Sequence, residues 1–129
     1  MDLVIVVVVL IIIEYIAFGI LVGRARGKYG IAAPAVSGDP IFERYYRVQQ
    51  NTAEQLLAFL PAIFLYSNLG NTTAAAVLGL VFLVGRIVYL RSYVADPKSR
   101  GLGFGMTFLP TVFMLIASLF IGLKSLAGM

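Results

Sequence analysis

Hydrophobic and polar residues along this chain are separated into long apolar runs and short basic stretches. Residues 55–85 and 101–123 carry no charged residue, and residues 3–23 carry one, Glu14. A membrane-spanning helix needs about 20 apolar residues, and backbone groups in lipid must hydrogen-bond within their own segment. The pattern therefore predicts four transmembrane helices in one domain, over about 3–23, 40–68, 73–95 and 102–126.

The boundaries of the second and third helices are marked by capping residues. Asp39 followed by Pro40 predicts an N-cap and a proline in the first helical position. The sequence from 68 to 71, Asn-Leu-Gly-Asn, predicts a tight turn, after which Thr72 or Thr73 caps the third helix. Short turns between long helices predict an all-α, up-down-up-down four-helix bundle.

Composition excludes several classes of protein. The 129 residues are 60% hydrophobic and 12% charged, with a mean hydropathy of +0.96, whereas soluble domains average about 25% charged. A soluble enzyme and a disordered tail are therefore excluded. Cysteine and histidine are absent, so disulfides, thiolate nucleophiles, imidazole bases and the usual zinc or haem ligands are excluded, and we expect no metal.

The net charge of +4 is concentrated in two connections. Because cytoplasmic loops carry the excess of Lys and Arg, the first and third connections are predicted to be cytoplasmic and both termini to lie opposite. Lys124 is the exception to this charge distribution, because it lies near the C-terminus, on the predicted opposite side.

The N-terminal segment lacks a basic n-region, so we expect a retained span rather than a signal peptide. Short loops favour a bacterial inner membrane, and basic residues at membrane edges argue against nucleic-acid binding. The basic residues of the two connections are Arg24, Arg26, Lys28, Arg44, Arg47, Arg86, Arg91, Lys98 and Arg100.

Polar residues converge where the second and third helices meet. On a helical wheel the second helix carries one polar face, while Gln49 points to a different face. On the third helix Arg86, Tyr89 and Tyr93 recur at i, i+3 and i+7. Antiparallel neighbours bring both faces to a similar depth, just inside the cytoplasmic leaflet, where ionisable groups indicate function. The polar face of the second helix consists of Arg44, Arg47, Asn51, Glu54 and Gln55.

These side chains suit a small zwitterionic peptide. Arginines bind carboxylates, Asn51 and Gln49 bond amides, and Glu54 holds an ammonium group. A guanidinium beside a bound thiol lowers the pKa of that thiol and supplies thiolate. Two structural alternatives remain open. In the first, Arg86 and Glu54 form an ion pair whose role is only to join two helices. In the second, four basic residues only extend to lipid headgroups; these are Arg24, Lys28, Arg91 and Lys98.

Two motifs resemble a known family over the whole chain. The first is Phe42-Glu43-Arg44 followed by Tyr46-Arg47-x-Gln49-x-Asn51-x-x-Glu54. The second is Gly85-Arg86-x-x-Tyr89-x-x-x-Tyr93, followed by Asp96-Pro97-x-x-Arg100-Gly101. Both resemble the signatures of the MAPEG family, the membrane-associated proteins in eicosanoid and glutathione metabolism, and in particular its microsomal glutathione transferases.

The resemblance implies a homotrimer that binds glutathione between neighbouring subunits and conjugates its thiolate to hydrophobic electrophiles from the lipid. It implies that Arg100 stabilises the thiolate, and that Arg26 and Gln49 reach in from the adjacent subunit. Gly27 and Gln55 depart from the leukotriene-forming members, which favours a general transferase, with lipid peroxidase activity by the same thiolate. The residues implied to hold glutathione within one subunit are Arg47, Asn51, Glu54, Tyr89 and Tyr93.

Two other functions are compatible with the sequence. One is a non-catalytic, lipid-binding member of the same family, which the retention of both motifs argues against. The other is a small proton-coupled multidrug exporter, for which Glu14 in the middle of the first helix is the carboxyl group required.

Overall fold

A computed structural model describes residues 1–128, which form four long helices. A single 3₁₀ turn, Pro97–Ser99, stands between the third and fourth helices, and the described residues contain no β-strand. The predicted all-α fold is confirmed. The helices are α1 (Asp2–Tyr29), α2 (Pro40–Asn68), α3 (Thr72–Ala95) and α4 (Gly101–Leu126).

Side-chain caps begin α2 and α3. Asp39 accepts hydrogen bonds from the backbone N–H groups of Ile41 and Phe42, at 2.9 and 3.0 Å, so the predicted start of α2 is confirmed. The predicted cap of α3 is wrong, since Asn71 rather than either threonine accepts from Ala74 N–H at 3.2 Å. Asn71 stands one residue before the first threonine, and its short amide already satisfies a free N–H group of the first turn.

The first helix continues six residues beyond its predicted end at Gly23, to Tyr29. Arginine and lysine are good helix formers, and the residues after Gly23 are rich in them. The helix ends at Gly30, whose φ of +70° lets its N–H group bond the carbonyl of Arg26. As a result, a full turn of basic side chains projects from the apolar part of α1.

Contacts between helix ends show that neighbours in the chain run antiparallel. The Ser67 hydroxyl lies 4.0 Å from the Met1 sulfur, and Arg44 Nη1 donates to the Val94 carbonyl at 2.9 Å. We call the end where α1 and α3 finish, and α2 and α4 begin, the basic end.

Three helical segments are long and apolar enough to cross a membrane: α1, α3 and the segment from Pro97 to Leu126. The basic-end half of α2 is polar, which lowers its hydropathy. This helix is as long as the others and packs against all three. That α2 also crosses the membrane stays a prediction.

Three hydrophobic clusters follow one another along the bundle, and polar side chains lie between the first two. The larger cluster includes Ile11 of α1 and the stacked rings of Phe59 and Phe82, whose centroids lie 4.0 Å apart. The smaller cluster, nearer the basic end, joins Phe18, Val48 and Tyr89. In each of the first three helices one buried residue with a charged or amide side chain lies between these two clusters. We call this set the polar layer; it consists of Glu14, Asn51 and Arg86.

Candidate functional site

Arg86 is the centre of the polar layer and is 0% exposed. Its Nη1 and Nη2 groups both donate to Asn51 Oδ1 at 2.9 Å, and its guanidinium lies 4.3 Å from the centroid of the Tyr89 ring. Hydrogen bonds from a charged donor are among the stronger ones in proteins. Because the Asn51 oxygen is committed to Arg86, the Asn51 side chain offers a second partner only its N–H donors.

The alternative ion pair between Arg86 and Glu54 is wrong. Glu54 instead pairs with Arg47 on its own helix, with Nη1 and Oε1 3.5 Å apart and the side chains 57% and 50% exposed. Three residues along a helix correspond to a rotation of about 60° from the starting face. Asn51 therefore points at α3, while Glu54 lies outside the helix pair, where it and Arg47 remain accessible to a ligand.

Glu14 supplies the acidic group of the polar layer. Its side chain is 8% exposed, and neither carboxylate oxygen has a hydrogen-bond partner among the described residues. Arg86 Nε is likewise buried and without a partner there. Glu14 and Arg86 form no salt bridge within 4.0 Å in the described part of the chain. A carboxyl group of α1 and a guanidinium of α3 are thus both buried in the polar layer.

Two tyrosines continue the polar side of α3 toward the basic end. The rings of Tyr89 and Tyr93 stack, with centroids 5.5 Å apart and planes at 18°. Tyr89 is 1% exposed, whereas Tyr93 is half-buried. Arg100 lies at the N-cap of α4, and its side chain is exposed. The structure thus brings the two predicted tyrosines together and places Tyr89 beside Arg86.

A pocket of about 410 Å³ opens beside this group. Arg47 and Tyr93 both line it, so two of the predicted residues face a common space. Arg44, another lining residue, donates to the carbonyls of Val94 and Ala95 at 2.9 and 3.3 Å. These are terminal carbonyls of α3, which lack partners within the helix. Arg44 therefore fixes the start of α2 against the end of α3. The remaining lining residues are Val36, Pro40, Glu43 and Tyr46.

The other two predicted residues, Arg26 and Gln49, lie where α1 contacts α2. Arg26 Nη1 donates to the Ala35 carbonyl at 2.6 Å, and its guanidinium lies 5.0 Å from the centroid of the Phe42 ring. Gln49 lies against α1 at Gly19, where an added Cβ would stand 2.9 Å from Gln49 Nε2. Within one subunit, therefore, Arg26 and Gln49 belong to the contact between α1 and α2.

Comparison with known proteins gives the same family over most of the chain. The sequence model of the MAPEG family matches residues 4–120. An uncharacterised protein of Synechocystis is 43% identical over 105 residues, which are 81% of this chain and 77% of that protein.

Relatives with named activities cover less of their own length. Human microsomal glutathione S-transferase 2 is 39% identical over 70% of this chain and 61% of its own length. Bovine leukotriene C4 synthase is 34% identical over 64% of this chain and 55% of its own. The aligned part of this chain thus spans less than two thirds of both enzymes.

The family match covers nearly the whole bundle, including the polar layer and both tyrosines. This chain belongs to the MAPEG family of membrane helical bundles.

Proposed function

We propose that this protein is a membrane-bound glutathione transferase that conjugates glutathione to hydrophobic electrophiles. Two relatives that carry the family's transferase names support this proposal. The observation that carries it is one pocket lined by Arg47, which pairs with Glu54, and by Tyr93, which stacks on Tyr89. This set offers cationic, anionic and neutral hydrogen-bonding groups to a zwitterionic tripeptide.

Each group has a chemical partner in glutathione. Arg47 binds a carboxylate, for which the planar guanidinium is suited, and Glu54 binds the ammonium group. Asn51 donates to a carbonyl or carboxylate oxygen, since its own oxygen is held by Arg86. The hydroxyls of Tyr89 and Tyr93 complete the binding residues of this subunit.

A homotrimer explains the position of the other two residues. Arg26 and Gln49 lie at the contact between α1 and α2, away from the Arg47–Tyr93 pocket of their own subunit. We infer that they reach the glutathione bound by a neighbouring subunit. Each site is then complete only in the assembly.

Arg100 is the proposed catalytic residue, because it stands in the motif that resembles the family and its exposed side chain lies at the N-cap of α4. Its positive charge lowers the pKa of the bound thiol, whose proton passes to water. The thiolate sulfur then attacks the electrophilic carbon, a C–S bond forms, and the leaving group departs with its electron pair. Arg100 acts by charge alone, since a guanidinium keeps its protons.

The apolar acceptor reaches the site from the lipid phase. Conjugation of such acceptors suits a role of the protein in detoxification. The same thiolate would reduce a lipid hydroperoxide, two glutathiones giving the disulfide, an alcohol and water. We propose that the basic end faces the cytoplasm, where glutathione is dissolved, that both termini lie on the opposite side, and that the membrane is a bacterial inner membrane.

The test is conjugation of glutathione to a chromogenic aryl halide by purified protein in detergent, together with calorimetric glutathione binding. We expect Arg100→Ala to lose turnover while it still binds glutathione. Arg91→Ala, which removes an exposed arginine of α3 outside this group, is the matched control and is expected to keep full turnover. Wild-type protein that neither binds nor conjugates glutathione would refute the proposal. The lipid-binding alternative would then lead, followed by transport through Glu14.

A further inference from the structure

The extension of α1 beyond Gly23 creates a second polar pocket, separate from the proposed glutathione site. It has a volume of about 320 Å³. Arg24 and Lys28 stand one turn apart on α1 and both line it, so its wall carries two cations. The two side chains lie on one face of α1 because the helix continues to Tyr29. The other lining residues are Leu21, Ala25, Tyr29 and Tyr45.

The two cations have no acidic partner in the described part of the chain. The salt bridge found there joins Arg47 to Glu54, and the pocket wall contains no aspartate or glutamate. Lys28 Nζ lies 5.4 Å from the centroid of the Tyr29 ring, which holds the ammonium group beside the pocket. The pocket therefore presents uncompensated positive charge and two tyrosine side chains, which together suit a phosphate-bearing anion.

An apolar surface leads directly into this pocket. Exposed side chains follow one another along α1 at spacings of three and four residues and so form a single stripe. Ile20, the last of them, stands one turn before Arg24. An acyl chain lying on the stripe would place its headgroup at Arg24 and Lys28. The members of the stripe are Val6, Val9, Ile13, Ile16 and Ile20.

We propose that this pocket binds the phosphate headgroup of an anionic phospholipid, with an acyl chain along the stripe. The apolar stripe favours a lipid over a free phosphate, because a soluble anion would gain nothing from it. Arg91 and Lys98 are equally basic and exposed near the same end, but they do not line the pocket. The structure thus distinguishes side chains that only extend to headgroups from a pair that forms a site.

The test compares nanodiscs of phosphatidylcholine with nanodiscs that also contain phosphatidylglycerol. Phosphatidylglycerol is expected to raise the melting temperature of wild-type protein. The double variant Arg24→Gln/Lys28→Gln is expected to lose most of this rise, with a loss of lipid affinity on the order of 30-fold, since each surface cation contributes about 1 kcal/mol. Lys28→Arg keeps the charge and is expected to keep the rise.

The matched control is Arg91→Gln/Lys98→Gln, which removes the same charge from the same end and is expected to keep the rise. Equal losses in both double variants would overturn the proposal, because general electrostatic attraction would then suffice. It would also fail if neither double variant lost the rise, or if water-soluble glycerol phosphate raised the melting temperature as much. Tyr45→Phe, which removes one lining hydroxyl, provides a milder variant if the double variant does not fold. It is expected to reduce the rise, and an unchanged rise in it would contradict the proposal.

Discussion

Replacing Arg86 by methionine removes the central cation of the polar layer while keeping an unbranched side chain of similar length. The change deletes two hydrogen bonds of 2.9 Å to Asn51. It also leaves the Asn51 oxygen and the Glu14 carboxyl buried without the group that balances them. A hydrogen bond to a charged group contributes about 1.5–3 kcal/mol, so the two bonds together contribute about 3–6 kcal/mol. We expect the free energy of unfolding of Arg86→Met to fall by about that amount.

A double-mutant cycle with Glu14 tests whether the two charges depend on each other. Glu14→Leu alone leaves Arg86 bonded to Asn51 but without an acidic neighbour, and we expect a loss of about 1–3 kcal/mol. In the Arg86→Met background the same change removes an uncompensated buried carboxyl. The double variant is therefore expected to be less destabilised than the sum of the single variants, by about 1–3 kcal/mol.

The assay is reversible unfolding in mixed detergent micelles, followed by far-ultraviolet circular dichroism. Ser118→Ala supplies the control cycle, since the Ser118 hydroxyl is also buried without a partner among the described residues. It lies about 16 Å along α4 from Thr107, which is adjacent to Gly85 of α3. Its cost should add to that of Arg86→Met within about 0.5 kcal/mol. If Glu14→Leu is equally additive, Glu14 is not the counter-charge of Arg86.

Two further predictions concern helix packing and the exposed ion pair. A Cβ at Gly103 would lie 2.5 Å from the Tyr89 backbone nitrogen, so Gly103→Ala should force α3 and α4 apart and cost about 1–3 kcal/mol of unfolding free energy in the same assay. Gly105→Ala, whose added Cβ meets nothing within 4 Å, should be nearly neutral, and equal costs would contradict the packing argument. Because Arg47 and Glu54 are half exposed, Arg47→Gln and Glu54→Gln should each change stability by at most about 1 kcal/mol. Each should weaken calorimetric glutathione binding at least severalfold, and unchanged binding would remove both residues from the proposed site.

Local sequence determined those parts of the fold that depend on neighbouring residues. Asp39 followed by Pro40 predicted the start of α2, because an N-cap and a fixed φ act within one turn. Long uncharged runs predicted α3 and α4 to within one residue of their observed starts. The end of α1 and the cap of α3 show the limit of this reasoning. Gly23 lies inside α1 because one glycine costs only about 1 kcal/mol, which the basic residues after it offset.

The tertiary structure decided which polar groups become partners. A helical wheel places Asn51 and Glu54 on one broad face of α2, and it does not say which of them meets Arg86. The approach of α3 decides this, because Asn51 points into the bundle and Glu54 lies at its edge. Glu14 is similar: the sequence shows a lone carboxyl group in an apolar run, and only the packing of α1 against α3 brings it to Arg86. Capping and hydropathy act along the chain, so the sequence determined the helices; pairing across helices depends on their rotation and depth, which packing alone sets.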